Sequence, residues 1–253
     1  MDKKGFALKF TLLALAFVLV FCASFFIGRY KIGLPSTWTI KEVTVIKNIR
    51  FPRIICASLI GAALSIAGAS YQGIFRNPMV SPDLLGASTG AGFGAALGIF
   101  IGFSYFGITV SAFIFGLVAV LMAYLISKLS KIQTTLALLL AGGVVGSLFQ
   151  SGTSFIKLIA DTDNQLPAIT YWLMGSLTSV KNRDLVFAII PITVGIIPLL
   201  LLRWRINLLT VSEAEARSMG VDTGKLRFVV ILCSTLITSA SVSISGMIGW
   251  VGL

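Results

Sequence analysis

Residues 50–73 read RFPRIICASLIGAALSIAGASYQG. From Ile54 onward the run is apolar and uncharged for about the 20 residues that a helix needs to cross bilayer hydrocarbon. It is predicted as a membrane span. Within it Ala57, Gly61, Ser65, Ala69 and Gly73 recur every fourth residue, and further on Gly86, Gly90, Gly94, Gly98 and Gly102 do the same. Residues four apart share one helix face. In lipid, where apolar surface gains nothing by pairing, small residues on that face allow close backbone approach. The two stripes predict an all-α, tightly packed bundle, with Gly61, Gly86, Gly90, Gly94 and Gly98 at helix contacts. A phosphate loop in GASTGAGFG is the weaker reading, because the stretch continues an apolar span.

Composition agrees. The 253 residues are 57% hydrophobic and 11% charged, whereas a soluble domain carries roughly 25% charged residues. Six further spans are expected near 6–28, 84–104, 108–127, 134–156, 185–203 and 226–245, making one transmembrane domain of about seven spans. Lys3, Lys4 and the apolar stretch 10–27 imitate a signal peptide, but the stretch is long for that role and reads as an uncleaved first span. The net charge of +11 is spread between spans rather than gathered on one face, so no nucleic acid is expected as a partner. Cys22, Cys56 and Cys233 lie in apolar runs and read as small core residues. With no histidine in the chain and no cysteine spacing of metal-site type, neither a metal nor a cofactor is expected.

Loop charge orients such a chain, with Lys and Arg favoured on the cytoplasmic side. An inside N-terminus puts eleven basic residues inside and nine outside, a weak bias. Most of the dissent lies in 29–53, where Arg50 and Arg53 flank Phe51-Pro52. Arginines at such a boundary ordinarily hold lipid headgroups.

No Asp or Glu falls inside the expected spans, which argues against an ion-coupled carrier, since such proteins usually need an ionisable group in the membrane. GVDTGKL at 220–226 is one residue short between its glycines for a phosphate-binding loop and ends in Leu226 where Ser or Thr would hold magnesium. If transport is ATP-driven, the ATPase is another polypeptide. An intramembrane hydrolase of the HExxH type is excluded by the lack of histidine, and Lys157 sits at a span end, where lysines snorkel to the interface.

The most informative polar stretch is NLLTVSEAEARSMGVDTGKLR, residues 207–227. Ser212 and Glu215 form a capping-box pair, Glu213 and Arg217 continue the helix, and Gly220 suits its C-terminal cap. Asp222 or Thr223 can cap the next turn. A structured helix–turn–helix within 204–225, where a short link would serve, predicts a docking surface.

Together these residues carry a resemblance. The run from Arg50 through GASTGAGFGAALG, with LALLLAGG at 136–143, YWLMGSL at 171–177, EARSMGV at 215–221 and GMIGWVGL at 246–253, is similar, in order, to the FecCD-type permeases. These are membrane subunits of ABC importers for iron-siderophores, haem and cobalamin. Val211-Ser212 departs from the Leu-Gly usual there. The family continues beyond the Val-Gly-Leu to ten spans, so the resemblance implies that the last three helices are missing here. It further implies cytoplasmic ATPase subunits gripping Ser212, Glu213, Glu215, Arg217 and Gly220, and a second permease subunit, identical or different. An extracytoplasmic substrate-binding protein or lipoprotein would dock on Arg50 and Arg53. The implied function is ATP-driven import of a metal chelate, foremost an iron(III)-siderophore, across the cytoplasmic membrane, with haem or cobalamin as the alternative. The chain itself would be no enzyme.

Overall fold

The computed structural model describes residues 3–30, 38–130, 135–210 and 213–249. All regular structure among them is helical. In chain order the α-helices are α1 (Lys3–Phe26), α2 (Ile40–Val45), α3 (Phe51–Phe75), α4 (Ala87–Ile101), α5 (Tyr105–Leu129), α6 (Thr135–Ile159), α7 (Gln165–Leu173), α8 (Asn182–Leu201), α9 (Arg203–Leu208), α10 (Glu213–Ser218) and α11 (Thr223–Ser245). A single π-helical turn, Ile46–Arg50, joins α2 to α3, so that Ile40–Phe75 forms one 36-residue helical segment.

That segment carries helix on both sides of Pro52. Pro52 lies in the first turn of α3 but follows helical residues. It has no N–H to continue the i→i−4 ladder, and the ladder widens into the π turn before it. An inserted turn of this kind re-aims the side chains around it.

Among the described residues, six segments are long and apolar enough to cross a membrane; α4, with 15 residues, is not. At 1.5 Å per residue it reaches only about 22 Å. Gly86 and Gly102, at φ +88° and +84°, bound it at both ends, because the left-handed region that glycine adopts freely terminates a right-handed helix. A 3₁₀ turn, Pro82–Leu85, precedes it.

The most enclosed helix is α11, which packs on α3, α4, α5 and α8. Of its buried hydroxyls, Ser234 and Ser239 find no partner among the described residues, but Thr235, Thr238, Ser241 and Ser245 each donate to the carbonyl four residues back at 2.7–2.8 Å. This lets a polar sequence occupy a dry interior. Tyr71 of α3 meets Thr235 at 3.2 Å. At the other extreme, α1 is exposed along most of its length and touches the rest of the described chain chiefly near its end.

The glycine stripe of α4 lies against α5. A Cβ added at Gly90 would stand 2.5 Å from the Phe115 carbonyl oxygen, and one at Gly94 would stand 2.6 Å from that of Ser111; at Gly98 the nearest atom is Ile108 Cα at 3.3 Å. Gly86 faces Gly142 and Gly146 of α6. The expectation for Gly61 needs correction, because a Cβ there meets nothing within 4 Å. The buried face of α3 is instead Cys56, Ile60, Ala63, Leu64, Ala67 and Tyr71, which leaves Ala57, Ser65 and Ala69 exposed.

Candidate functional sites

At one end of the bundle, Arg50 and Arg53 are bound within the chain. Arg50 is 8% exposed. Its Nη1 donates to the Phe25 carbonyl and its Nη2 to that of Tyr30, both at 2.5 Å. A carbonyl at a helix end has lost its in-helix donor and carries partial negative charge, which is what a guanidinium satisfies. Gly28 admits the fork: a Cβ there would stand 2.8 Å from Nη2. Arg53, one turn on, donates from Nη2 to the Thr178 carbonyl. Exposed Lys41 and Lys47 stand on the preceding turns.

Thr178 belongs to a hub that the sequence reading overlooked. Its hydroxyl pairs with Ser176 Oγ at 2.7 Å and Tyr171 Oη at 3.2 Å, while Ser176 N donates to the Ser245 carbonyl at 2.7 Å. Gly175 and Gly246 are in direct contact, and a Cβ on Gly246 would stand 2.7 Å from Gly175 Cα. The motifs YWLMGSL and GMIGWVGL therefore touch, and a glycine in each was the available signal. The expected 185–203 span begins earlier, at Asn182, and so includes Asp184 in its first turn. That carboxylate is 5% exposed and accepts from Lys181 N at 2.9 Å and Tyr105 Oη at 3.3 Å. It caps a helix and is no exception to the absence of ionisable groups deep in the spans.

Helix α6 carries a stripe of a different kind. Gly143, Ser147, Gln150, Ser151 and Ser154 are exposed at spacings that put them on one face. Polar side chains on a spanning helix ordinarily face the bundle interior or a water-filled cavity; these face out of the described chain.

At the opposite end lies the loop between α8 and α11. Ser212 and the side chain of Glu213 lie outside the described residues. Helix α10 begins at Glu213, and Glu215 and Arg217 are exposed while Ala216 is buried. Gly220, at φ +79°, receives the chain where α10 ends. Gly220 N donates to the Arg217 carbonyl at 2.9 Å and Val221 N to that of Ala216 at 3.1 Å, the paired bonds of a Schellman motif. Asp222, rather than Thr223, caps α11, accepting from Lys225 N at 3.0 Å. That bond from the Lys225 backbone holds the Asp222 carboxyl below the usual carboxylate range. Arg217 Nε reaches Thr223 Oγ1 at 3.4 Å. The loop is fastened to α3 as well: Arg76 Nε donates to the Leu209 carbonyl at 2.8 Å, and a Cβ on Gly73 would stand 3.2 Å from Ile206.

Among the described residues, a bundle of spanning helices with no ionisable group deep inside, a polar outward stripe and a structured loop at one end marks a polytopic membrane protein. The chain belongs to the FecCD transport family, whose pattern matches residues 15–253. It is 38% identical over 253 residues to the molybdate import system permease protein MolB of Haemophilus influenzae, covering 95% of this chain and 75% of that one. It is 40% identical to a probable iron chelatin transport system permease protein of Helicobacter pylori, covering 83% of this chain and 63% of the relative. To the cobalamin import system permease protein BtuC of Halobacterium salinarum it is 34% identical, covering 88% and 59%. The chain therefore spans three quarters or less of these relatives. A solved metal-chelate type ABC transporter in an inward-facing conformation superposes with a TM-score of 0.88 at 39% identity, covering 95% of this chain and 76% of that one. The protein is thus an ABC importer permease of the cytoplasmic membrane, a transport subunit rather than an enzyme.

Proposed function

We propose that the chain forms, with a second permease subunit, the membrane pathway of a binding-protein-dependent importer for a metal chelate, foremost a ferric siderophore. The observation that carries this reading is the polar stripe on α6. Ser147 and Ser154 spend their hydroxyl hydrogens on carbonyls of their own helix, so it is Gln150 and Ser151, pointing away from the chain's own core, that call for water or a second subunit beside them, and two such faces together would line a hydrated passage. Uncharged, hydrogen-bonding walls suit a large polar chelate without holding it as a charged site would. The exposed Ala57, Ser65 and Ala69 on α3, with half-buried Gly61 between them, offer a further close-packing face for a helix of another chain.

In this reading ATP hydrolysis comes from separate subunits that grip the 204–225 loop through Ser212, Glu213, Glu215, Arg217 and Gly220. The ties from Arg76 to Leu209 and from Gly73 to Ile206 would pass their closure to α3. The binding protein would dock at the end that holds residues 29–53, facing away from the cytoplasm. Exposed Lys41 and Lys47 make the contact there, and Arg50 serves docking by fixing the end of α1. Molybdate is the second reading, favoured by the likeness to a molybdate permease over 95% of the chain. Uptake by proteoliposomes holding the permease, its ATPase and its binding protein separates the two. Labelled ferric siderophore should accumulate with ATP and [⁹⁹Mo]molybdate should not; the reverse result rejects the chelate. Haem and cobalamin are run in the same assay.

A further inference from the structure

We infer that the cleft between α1 and α3 is a binding site for one phospholipid, its phosphodiester held by Arg53. The inference rests on the proposed orientation, in which the end of α1 and the segment 40–53 lie at the membrane surface opposite the 204–225 loop. Helices α1 and α3 are tied together at that surface by Arg50 and part below it, leaving a cleft of about 430 Å³. Phe17, Val20 and Phe21 form one wall, Ile54 and Ala57 the other. These walls run along both helices from the surface toward the membrane centre, the course of an acyl chain.

The head of the cleft is polar, and among the described residues it offers Arg53 no carboxylate. Ser24 Oγ donates to the Val20 carbonyl and Ser58 Oγ to the Ile54 carbonyl, at 2.6 and 2.9 Å, so both hydroxyl hydrogens are already used. Arg53 spends Nη2 on Thr178, and its Nε is buried without a partner among the described residues. A buried cationic donor left unpaired costs more than a neutral one. A guanidinium pairs most strongly with a phosphate or carboxylate oxygen, and a modest shift of the side chain would expose the fork to one. At a membrane surface the anionic oxygen attached to an apolar tail is the phosphodiester of a phospholipid. A free phosphate would leave the apolar walls uncovered. A polypeptide would have to bring both an acidic and a greasy face to the same narrow cleft. A guanidinium engaged in this way is withdrawn from docking, which is why the contact with a binding protein falls to Lys41 and Lys47.

The test uses the full chain, purified in detergent, stripped of lipid and titrated with dioleoylphosphatidylglycerol under native mass spectrometry. One lipid should bind per chain. Arg53→Gln should bind it about tenfold more weakly, the loss expected for one charge-assisted hydrogen bond. Ala57→Phe should weaken it similarly, because the new ring fills the cleft while Arg53 remains. Dioleoylglycerol, which lacks the phosphate, should bind the wild type no better than dioleoylphosphatidylglycerol binds Arg53→Gln. The inference is overturned if no lipid binds stoichiometrically, or if dioleoylglycerol or inorganic phosphate alone binds as tightly as the phospholipid. Unchanged lipid binding by Ala57→Phe, or its loss of self-association in place of lipid, overturns it too. Should Arg53→Gln fail to accumulate, Ala57→Phe decides alone, since Ala57 is exposed and tolerates a larger side chain.

Discussion

Ser111 Oγ donates to the carbonyl of Gly94 at 2.7 Å, across the contact of α5 with α4. The bond exists only because Gly94 has no side chain: a Cβ there would stand 2.6 Å from the Ser111 carbonyl oxygen and 2.8 Å from Phe115 Cβ. Gly94→Leu should therefore force the two helices apart. Overpacking of this kind costs about 1–3 kcal/mol, and the buried Ser111 hydroxyl would also lose its acceptor. Size-exclusion profiles of the detergent-extracted protein should show little monodisperse material. Gly61→Leu, on an open face, should leave the extracted subunit intact. Equal behaviour of the two variants would reject the distinction between the stripes.

That contrast marks how far the sequence could be read. The two small-residue stripes have the same spacing, and the residues alone identify a close-packing face without saying what meets it. Spans were legible because a bilayer demands about 20 apolar residues. The shortness of α4 was not, since the left-handed turns at Gly86 and Gly102 leave no mark in the spacing of the apolar residues around them. The hub at Thr178 joins residues 53, 171, 176 and 178 through backbone carbonyls and hydroxyls, and such partners leave no mark of residue type. The 204–225 loop was legible through its caps, because Gly220 and Asp222 act on their own neighbours within a few positions.

Arg50 should prove a positioning residue. Removing its guanidinium leaves the Phe25 and Tyr30 carbonyls without their donors, at roughly 1.5–3 kcal/mol for each hydrogen bond to a charged group. Arg50→Gln should free the end of α1, seen as faster proteolysis near residues 27–30 in intact cells or right-side-out vesicles. Arg50→Lys should rescue only partly, since an ammonium lacks the planar fork that reaches two carbonyls at once. Protease resistance equal to wild type in Arg50→Gln would show that α1 is held by something else.

Topology is open to direct measurement. The proposed orientation puts the N-terminus and residue 218 inside and residue 45 outside. Each site is tested as a single cysteine, Ser218→Cys or Val45→Cys, in a background lacking Cys22, Cys56 and Cys233. A membrane-impermeant maleimide applied to intact cells should label position 45 and leave position 218 unlabelled until the membrane is permeabilised. The opposite pattern inverts the assignment of both docking ends.

The N-cap at Asp222 makes a prediction about acid. Its carboxyl is held below the ordinary carboxylate range, chiefly by the hydrogen bond from Lys225 N. The charged form is therefore favoured in the folded state. A group whose folded pKa is depressed contributes stability above its unfolded pKa and loses it as pH falls through the folded pKa. The first turn of α11 should loosen only below the ordinary carboxylate range. Asp222→Asn, which caps without titrating, should abolish that step. Hydrogen exchange at residues 223–226, followed across pH, reports it after correction for intrinsic exchange. A wild-type profile without an acid step, or a variant that retains one, would place the titration elsewhere.

The coupling loop supplies the last test. Helix α10 is only Glu213–Ser218, too short to be stable alone, so its shape depends on its caps and on the buried Ala216. Glu213 and Glu215 lie in its first turn, where the helix dipole favours acidic residues, and the proposed function makes them contacts for an ATPase. Reversing both to Lys should leave the permease in the membrane but uncouple it. Uptake should fall at least tenfold, and ATP hydrolysis should no longer respond to loaded binding protein. Replacing both with Gln removes the charge at little cost to helix propensity, so a defect shared by the Gln pair is electrostatic. A defect confined to the Lys pair reflects a frayed helix or repulsion. Gly220→Val probes shape alone: at φ +79° a β-branched residue is strained, which should open the turn without touching a charge. If the double Lys variant couples normally, the ATPase grips the permease elsewhere. If Gly220→Val uncouples while both charge variants work, the turn and not its acidic face is what the ATPase holds.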